Sequence, residues 1–235
     1  MSLANTPTNM APQQRTRIKM CGFTREADVL AACALGADAI GFVLYPPSPR
    51  SVSIERAAEL SRLLPSFVVP VLLFVNDTPE RIAAASAAVP GALLQFHGDE
   101  SAEFCEAMTQ RTGRPHLKAA RIPLTEVHDF DLLEFALVHH SAQAILLDAH
   151  VDGYGGGGKT FHWSLLPPNV NAHLVLSGGL TPANVGDGIR ALCTHGLSLA
   201  VDVSSGIEAG KGLKDADKMR QFVLAVRTAD NDFSL

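Results

Sequence analysis

Arg17-Ile18-Lys19-Met20-Cys21-Gly22-Phe23, the helical-period stretch Arg25 to Leu35, and Ala39-Ile40-Gly41-Phe42-Val43 make one strand–helix–strand unit. A short apolar run, a longer amphipathic segment and a second short apolar run are the signature of a parallel α/β fold, because two parallel strands need a crossover helix between them. The pattern recurs along the chain. Strands are predicted at Arg17 to Met20, Ala39 to Val43, Val68 to Phe74, Leu93 to Phe96, His116 to Ala119, Ala144 to Leu147, His173 to Leu176 and Leu199 to Val201. Helices are predicted at Arg25 to Leu35, Ile54 to Leu63, Pro79 to Val89, Ala102 to Arg111, Leu124 to His139, Pro182 to Cys193 and Lys214 to Arg227, with a short turn at Trp163. Thr78-Pro79 and Thr181-Pro182 each offer an N-cap followed by a first helical residue. Eight units in 235 residues fit a closed (β/α)8 TIM barrel, which usually spans about 250 residues, better than an open doubly wound sheet. The expected organisation is a leader over residues 1–15, one barrel domain over 16–228 and a tail over 229–235.

Composition narrows the function classes. With 47% hydrophobic residues, 18% charged residues and a formal net charge of -5, the chain can bury one large core and has no electrostatic reason to bind nucleic acid. No apolar stretch approaches the ~20 residues that span a bilayer, and Met1 to Arg17 lacks a signal-peptide apolar core; the cytoplasm is the expected compartment. The four cysteines show no Cys-x-x-Cys spacing, so neither a disulfide framework nor a zinc site is indicated. No Gly-x-Gly-x-x-Gly follows the first strand, which argues against a nicotinamide or flavin cofactor.

In a barrel of this kind the reactive groups sit where strands end, so polar residues at those exits form one set. Cys21 and Asp148 close two of the apolar runs. A thiol that can lose a proton and a carboxyl that can give one suit acid–base chemistry if they share a pocket. Because side chains alternate along a strand, Lys19 and Cys21 point inward and Met20 outward, and a nearby ammonium favours the thiolate. The alternative is that Lys19 closes the barrel floor against an interior carboxylate. Gly178-Gly179 and Ser205-Gly206, after the seventh and eighth strands, stand where backbone amides form a phosphate cradle, although glycines there also serve plain tight turns. Arg50 ends the proline-stiffened stretch Tyr45 to Ser51, where its guanidinium would fork onto a carboxylate or phosphate or simply remain solvated. Gln95 and His97 at the fourth exit and Asp202 at the eighth complete the candidate substrate contacts with Lys19 and Arg50. The histidines suggest no metal site. Gly153 to Gly158, behind Asp148, suits a loop that closes over substrate.

Lys19-Met20-Cys21-Gly22, Gly41-Phe42-Val43, Ser48-Pro49-Arg50, Gln95-Phe96-His97-Gly98, Leu147-Asp148, Gly155 to Phe161 with Trp163, Ser177-Gly178-Gly179-Leu180 with Asn184-Val185, and Val201 to Gly206 with Glu208 together resemble the ordered motifs of the phosphoribosylanthranilate isomerases. The likeness runs from about Arg17 to Arg227. It implies an Amadori rearrangement in tryptophan biosynthesis without cofactor or metal, acting on a small phosphorylated substrate, by a monomer or homodimer. It also implies that Asp148 is the general acid, that Cys21 is the general base, that Arg50 holds the anthranilate carboxylate and that amides at Gly178-Gly179 and Ser205-Gly206 hold the phosphate. Departures from the family pattern are Phe96 for Leu, Gly157 for Ser or Thr, and His162 for Asp. Rival readings are another sugar-phosphate barrel, such as ribulose-phosphate epimerase or indole-glycerol-phosphate synthase, and a catalytically silent sugar-phosphate binder. The metal-ligating His and Asp, or the several Lys and Glu, that the two enzymes want at strand exits are missing from this sequence.

Overall fold

The computed structural model describes residues 15–123, 130–149, 163 and 166–232. Eight parallel strands close into a barrel in chain order: β1 (Arg17–Cys21), β2 (Ala39–Val43), β3 (Val69–Phe74), β4 (Leu93–Phe96), β5 (His116–Ile122), β6 (Ala144–Ala149), β7 (His173–Leu176) and β8 (Ser198–Val203), with β8 pairing back onto β1. Around it lie α1 (Glu26–Ala34), α2 (Ile54–Ser61), α3 (Pro79–Ala88), α4 (Ala102–Thr112), α5 (Leu132–Val138), α6 (Val185–Leu192) and α7 (Ala216–Asp232). A hairpin of β9 (Glu208–Gly210) and β10 (Leu213–Lys214) stands outside the barrel after β8.

Alternation along the strands divides the core into two shells. Outward residues such as Ile18, Met20, Phe42, Phe74, Phe96 and Leu147 pack under the helices. Inward residues build the barrel interior, with Val71, Leu117, Ala119, Ala144, Leu146 and Val175 in one cluster and Cys21, Val43, Leu73 and Val75 in another. Strands β1, β6 and β8 extend past the apolar runs seen in sequence, so Cys21, Asp148 and Asp202 belong to the rigid ladder rather than to loops.

Three helices differ from expectation for local reasons. The helix expected from Leu124 starts at Leu132, because the Asp131 carboxylate accepts hydrogen bonds from the amides of Leu133 and Glu134 and fixes the start there; residues 124–129 lie outside the described residues. Thr181-Pro182 does not cap α6. Instead the Asn184 side chain accepts from the Thr181 amide and donates to the Gly179 carbonyl, holding residues 181–184 as a turn before the helix begins at Val185. The last helix starts at Ala216, after Asp215 has accepted from the amides of Asp217 and Lys218, and Lys214 is left to the hairpin. It also runs through Asp232 rather than giving way to a tail at 229: Ala229 is buried and the Asp230 carboxylate accepts from the Thr16 amide. The expected leader falls, up to residue 14, outside the described residues, while Arg15 pairs with Asp38.

Candidate active site

At the C-terminal mouth of the barrel lies a cavity of about 340 Å3. Of the residues expected at the site, Cys21, Arg50, His97, Asp148, Gly178, Gly179, Asp202 and Ser205 line it. Lys19, Gln95 and Gly206 do not; the first two sit buried one layer below, and Gly206 sits behind the wall. The glycine-rich loop 153–158 and His162 lie outside the described residues.

Cys21 owes its place to Gly41. The two are register partners on β1 and β2, and a Cβ on residue 41 would come within 2.5 Å of the Cys21 sulfur. Beneath it Lys19 donates from Nζ to Asp202 Oδ1 at 2.8 Å, with both side chains 6% exposed. Lys19 therefore does both things the sequence left open: it neutralises an interior carboxylate and stands beside the thiol. Burial on its own would depress its ammonium, but Asp202 and Cys21 outweigh it and hold the proton more firmly than usual. The expected push of Lys19 toward the thiolate is present but does not win. Burial is the largest influence on Cys21 and, reinforced by Asp202, raises the thiol against the opposing charges of Lys19 and Lys214. The resting group is thus a thiol, and a strong base once it is deprotonated.

Asp148 is held by a short relay. Its Oδ1 accepts from the Ala149 amide at 3.0 Å, and its Oδ2 lies 2.9 Å from His97 Nε2. Gln95, fully buried, donates from Nε2 to His97 Nδ1 at 3.0 Å, which leaves the imidazole proton on Nε2, pointing at the carboxylate. Gln95 Oε1 is buried without a partner. With the Gln95 amide turned over, Oε1 would accept from Nδ1–H and Nε2 would accept from a protonated Asp148. The turn that carries His97 is itself braced: Glu100 accepts from the amides of Asn76 and Gly98 and pairs with the buried Lys118 at 2.8 Å. Sequence reading found neither member of that brace.

Arg50 is not a free guanidinium. Nε and Nη2 donate to Glu208 Oε1 and Oε2 at 2.7 and 2.8 Å, and Lys214 Nζ donates to the same Oε1 at 2.8 Å. Burial would raise the Glu208 carboxyl, but these two cations outweigh it and hold it below its ordinary range; burial pushes the Lys214 ammonium down against Glu208.

On the other wall, Gly178 and Gly179 have φ of 75° and 64°, the left-handed region that only glycine enters without strain. A Cβ at Gly178 would meet the Ala149 amide nitrogen at 2.6 Å and Asp148 Oδ1 at 2.9 Å. At Gly206, in the 3-10 turn Ser205–Ile207, a Cβ would run into the Leu180 carbonyl. The two glycine turns therefore press together backbone against backbone, with the Asn184 side chain pinning the first. Gly178 and Gly179 line the cavity without side chains of their own, and backbone turns of this kind suit a tetrahedral anion. Among the described residues no group of three or more His, Cys, Asp or Glu could hold a metal ion.

A family model described as N-(5'-phosphoribosyl)anthranilate (PRA) isomerase matches residues 18–225. The chain is 58% identical over 216 residues to the N-(5'-phosphoribosyl)anthranilate isomerase of Methylibium petroleiphilum, covering 92% of this chain and 96% of that protein. Two solved structures of phosphoribosylanthranilate isomerases each superpose with a TM-score of 0.73 at 36% identity, covering 91% of this chain and 99% of theirs. One is a complex with reduced 1-(o-carboxyphenylamino)-1-deoxyribulose 5-phosphate. The other is of monomers generated from the dimeric enzyme of Thermotoga maritima.

Proposed function

The chain belongs to the N-(5'-phosphoribosyl)anthranilate isomerase family, and on that premise we propose that Cys21 and Asp148 are the base and acid of its reaction. It is an isomerase of tryptophan biosynthesis, converting the aminoaldose N-(5-phosphoribosyl)anthranilate into the aminoketose 1-(2-carboxyphenylamino)-1-deoxyribulose 5-phosphate. Asp148 gives its proton to the ribose ring oxygen. The bond from C1 to that oxygen breaks, and the nitrogen lone pair closes a C=N bond to give the Schiff base. Cys21 then takes the C2 proton; the C–H electrons form C1=C2 and the C=N pair returns to nitrogen. Proton return to C1 and loss from the C2 hydroxyl complete the ketose. Oxidation at C2 and reduction at C1 balance within the substrate, so the scheme calls on no external redox partner.

The surroundings support each step. Lys19 and Lys214 stabilise the thiolate that burial disfavours, and the relay of Gln95 and His97 fixes the direction in which the Asp148 carboxyl faces the substrate. Lys19 and Gln95 act as positioning residues rather than substrate contacts. Asp202, which both anchors Lys19 and lines the cavity, accepts from a ribose hydroxyl. Amides at Gly178, Gly179 and Ser205 receive the phosphate, with Gly206 allowing the turns to meet, and Arg50 receives the aromatic carboxylate. The protein works in the cytoplasm as a monomer or homodimer; no helix among the described residues is long and apolar enough to cross a membrane.

The observation that carries this reading is that Cys21 and Asp148, distant in sequence, line one cavity. Consumption of phosphoribosylanthranilate by the purified protein, followed by fluorescence with a chelator present, tests it. Turnover is expected with the chelator, and its absence, or near-normal turnover in Cys21→Ala or Asp148→Asn, overturns the assignment.

A further inference from the structure

Glu208 lies behind the cavity wall, yet it holds the one cation expected to choose the substrate. Its two oxygens take the Nε–Nη2 edge of Arg50 in a fork, which leaves Nη1 without a hydrogen-bond partner among the described residues. The Arg50 stem has little room to turn, since a Cβ on Gly22 would lie 2.5 Å from its Cδ. Lys214, whose side chain is fully buried, donates to Glu208 Oε1, the oxygen that also takes Arg50 Nε, and to the Ser204 carbonyl at 3.1 Å. The Ser204 hydroxyl in turn donates to the Cys21 carbonyl at 3.0 Å. One chain of contacts thus joins the guanidinium to the strand end that carries the base.

Resting on the function proposed above, we infer that Glu208 is a specificity-determining positioning residue, anchored by Lys214, that fixes Arg50 to receive a single aromatic carboxylate. Arg50, Glu208 and Lys214 together carry one net positive charge, matched by one carboxylate. A substrate without it leaves that charge unpaired in a partly buried site. A guanidinium already held on one edge also surrenders little side-chain freedom when the ligand takes the other. Removing the Glu208 charge does not simply strengthen the pull on anions. The buried Lys214 then loses its only carboxylate partner among the described residues, and burial, which already depresses its ammonium, favours release of its proton. What remains is a site of similar net charge in which the Arg50 stem is still confined but its guanidinium has lost the fork that set its direction.

The test compares kcat/KM for phosphoribosylanthranilate with kcat/KM for the analogue lacking the carboxylate, in wild type, Glu208→Gln and Glu208→Asp. This ratio is independent of the fraction of enzyme that is folded, so a merely structural role would lower thermal stability and leave the ratio in place. We expect Glu208→Gln to reduce the ratio about ten-fold, chiefly through KM for the carboxylated substrate, a loss of the size of one immobilised side chain. Glu208→Asp, which keeps the charge but not the fork, falls between, and it decides the matter if the Gln variant does not fold. A ratio unchanged or increased in the variants, with wild type active, overturns the inference alone; wild type inactive on phosphoribosylanthranilate overturns the functional reading, and the inference with it.

Discussion

Two buried imidazoles, one opening β5 and one closing α5, should make the fold acid-sensitive in a defined window. His116 is fully buried, with Nδ1 on Thr109 Oγ1 at 2.8 Å and Nε2 unpartnered; His139 stacks on Phe135 with its Nδ1 unpartnered. Each is pushed from its ordinary 6.5 down to about 4, first by burial and then by neighbouring positive charge, His139 and Lys118 for His116 and Lys118 for His139. The folded state therefore binds these protons more weakly than the unfolded chain. Their contribution to stability is complete above pH 6.5 and is lost as the pH falls toward 4. At about 1.4 kcal/mol per pH unit, each ring removes about 2 kcal/mol by pH 5 and about 3 kcal/mol once both states are protonated. Mutual repulsion makes the second protonation the harder one. Urea unfolding at pH 7.5 and pH 5, on wild type and His139→Phe, reads this directly. Phenylalanine keeps the stack, removes an unpartnered nitrogen and relieves His116 of a neighbouring charge. The variant should lose about 2 kcal/mol less than wild type between the two pH values. Equal losses would show that these rings are not neutral in the fold as described.

Other outcomes follow from the site. Cys21→Ala and Asp148→Asn should each lower kcat by about 10²- to 10⁴-fold with unfolding midpoints near wild type, and stopped-flow turnover beside urea melts checks both halves. Gly178→Ala, with its Cβ aimed at the Ala149 amide and Asp148, should cost about 1–2 kcal/mol for the left-handed backbone and raise KM for the phosphorylated substrate; a normal KM would remove that turn from the phosphate site. Lys19→Met leaves the Asp202 carboxylate buried and unpaired, at about 3–5 kcal/mol, and should move the thiol limb of the kcat/KM pH profile further to the alkaline side. Adding Asp202→Leu should restore much of the stability. A pH profile unchanged in Lys19→Met would mean the ammonium does not act on Cys21.

The parts legible in sequence are those that local pattern encodes. Strand order, the inward face of Lys19 and Cys21, and the Thr78 cap all follow from patterns of a few residues, whereas the Ser53 and Ser101 caps were not read from sequence. What else escaped depends on partners far along the chain. Lys19 meets Asp202 and Arg50 meets Glu208 across 183 and 158 residues, and no spacing rule announces either pair. The balance at Cys21 escaped too, since sequence names the nearby cation but not the depth of burial that opposes it. Asn184 is a different case: a Thr-Pro cap signal was present, and a competing side chain reaching back to Gly179 overrode it. The β9–β10 hairpin is too short for any periodicity to show.

Lys19 is translated early and its counter-charge nearly last, on the strand that seals the barrel against β1. Until that seam is stitched the ammonium faces an unfinished interior, and the thiol above it lacks half of its electrostatic setting. Closing the sheet and arming the base are consequently a single event: a refolding chain should regain turnover in step with docking of its final strand, and no seven-stranded intermediate should work as a slower enzyme.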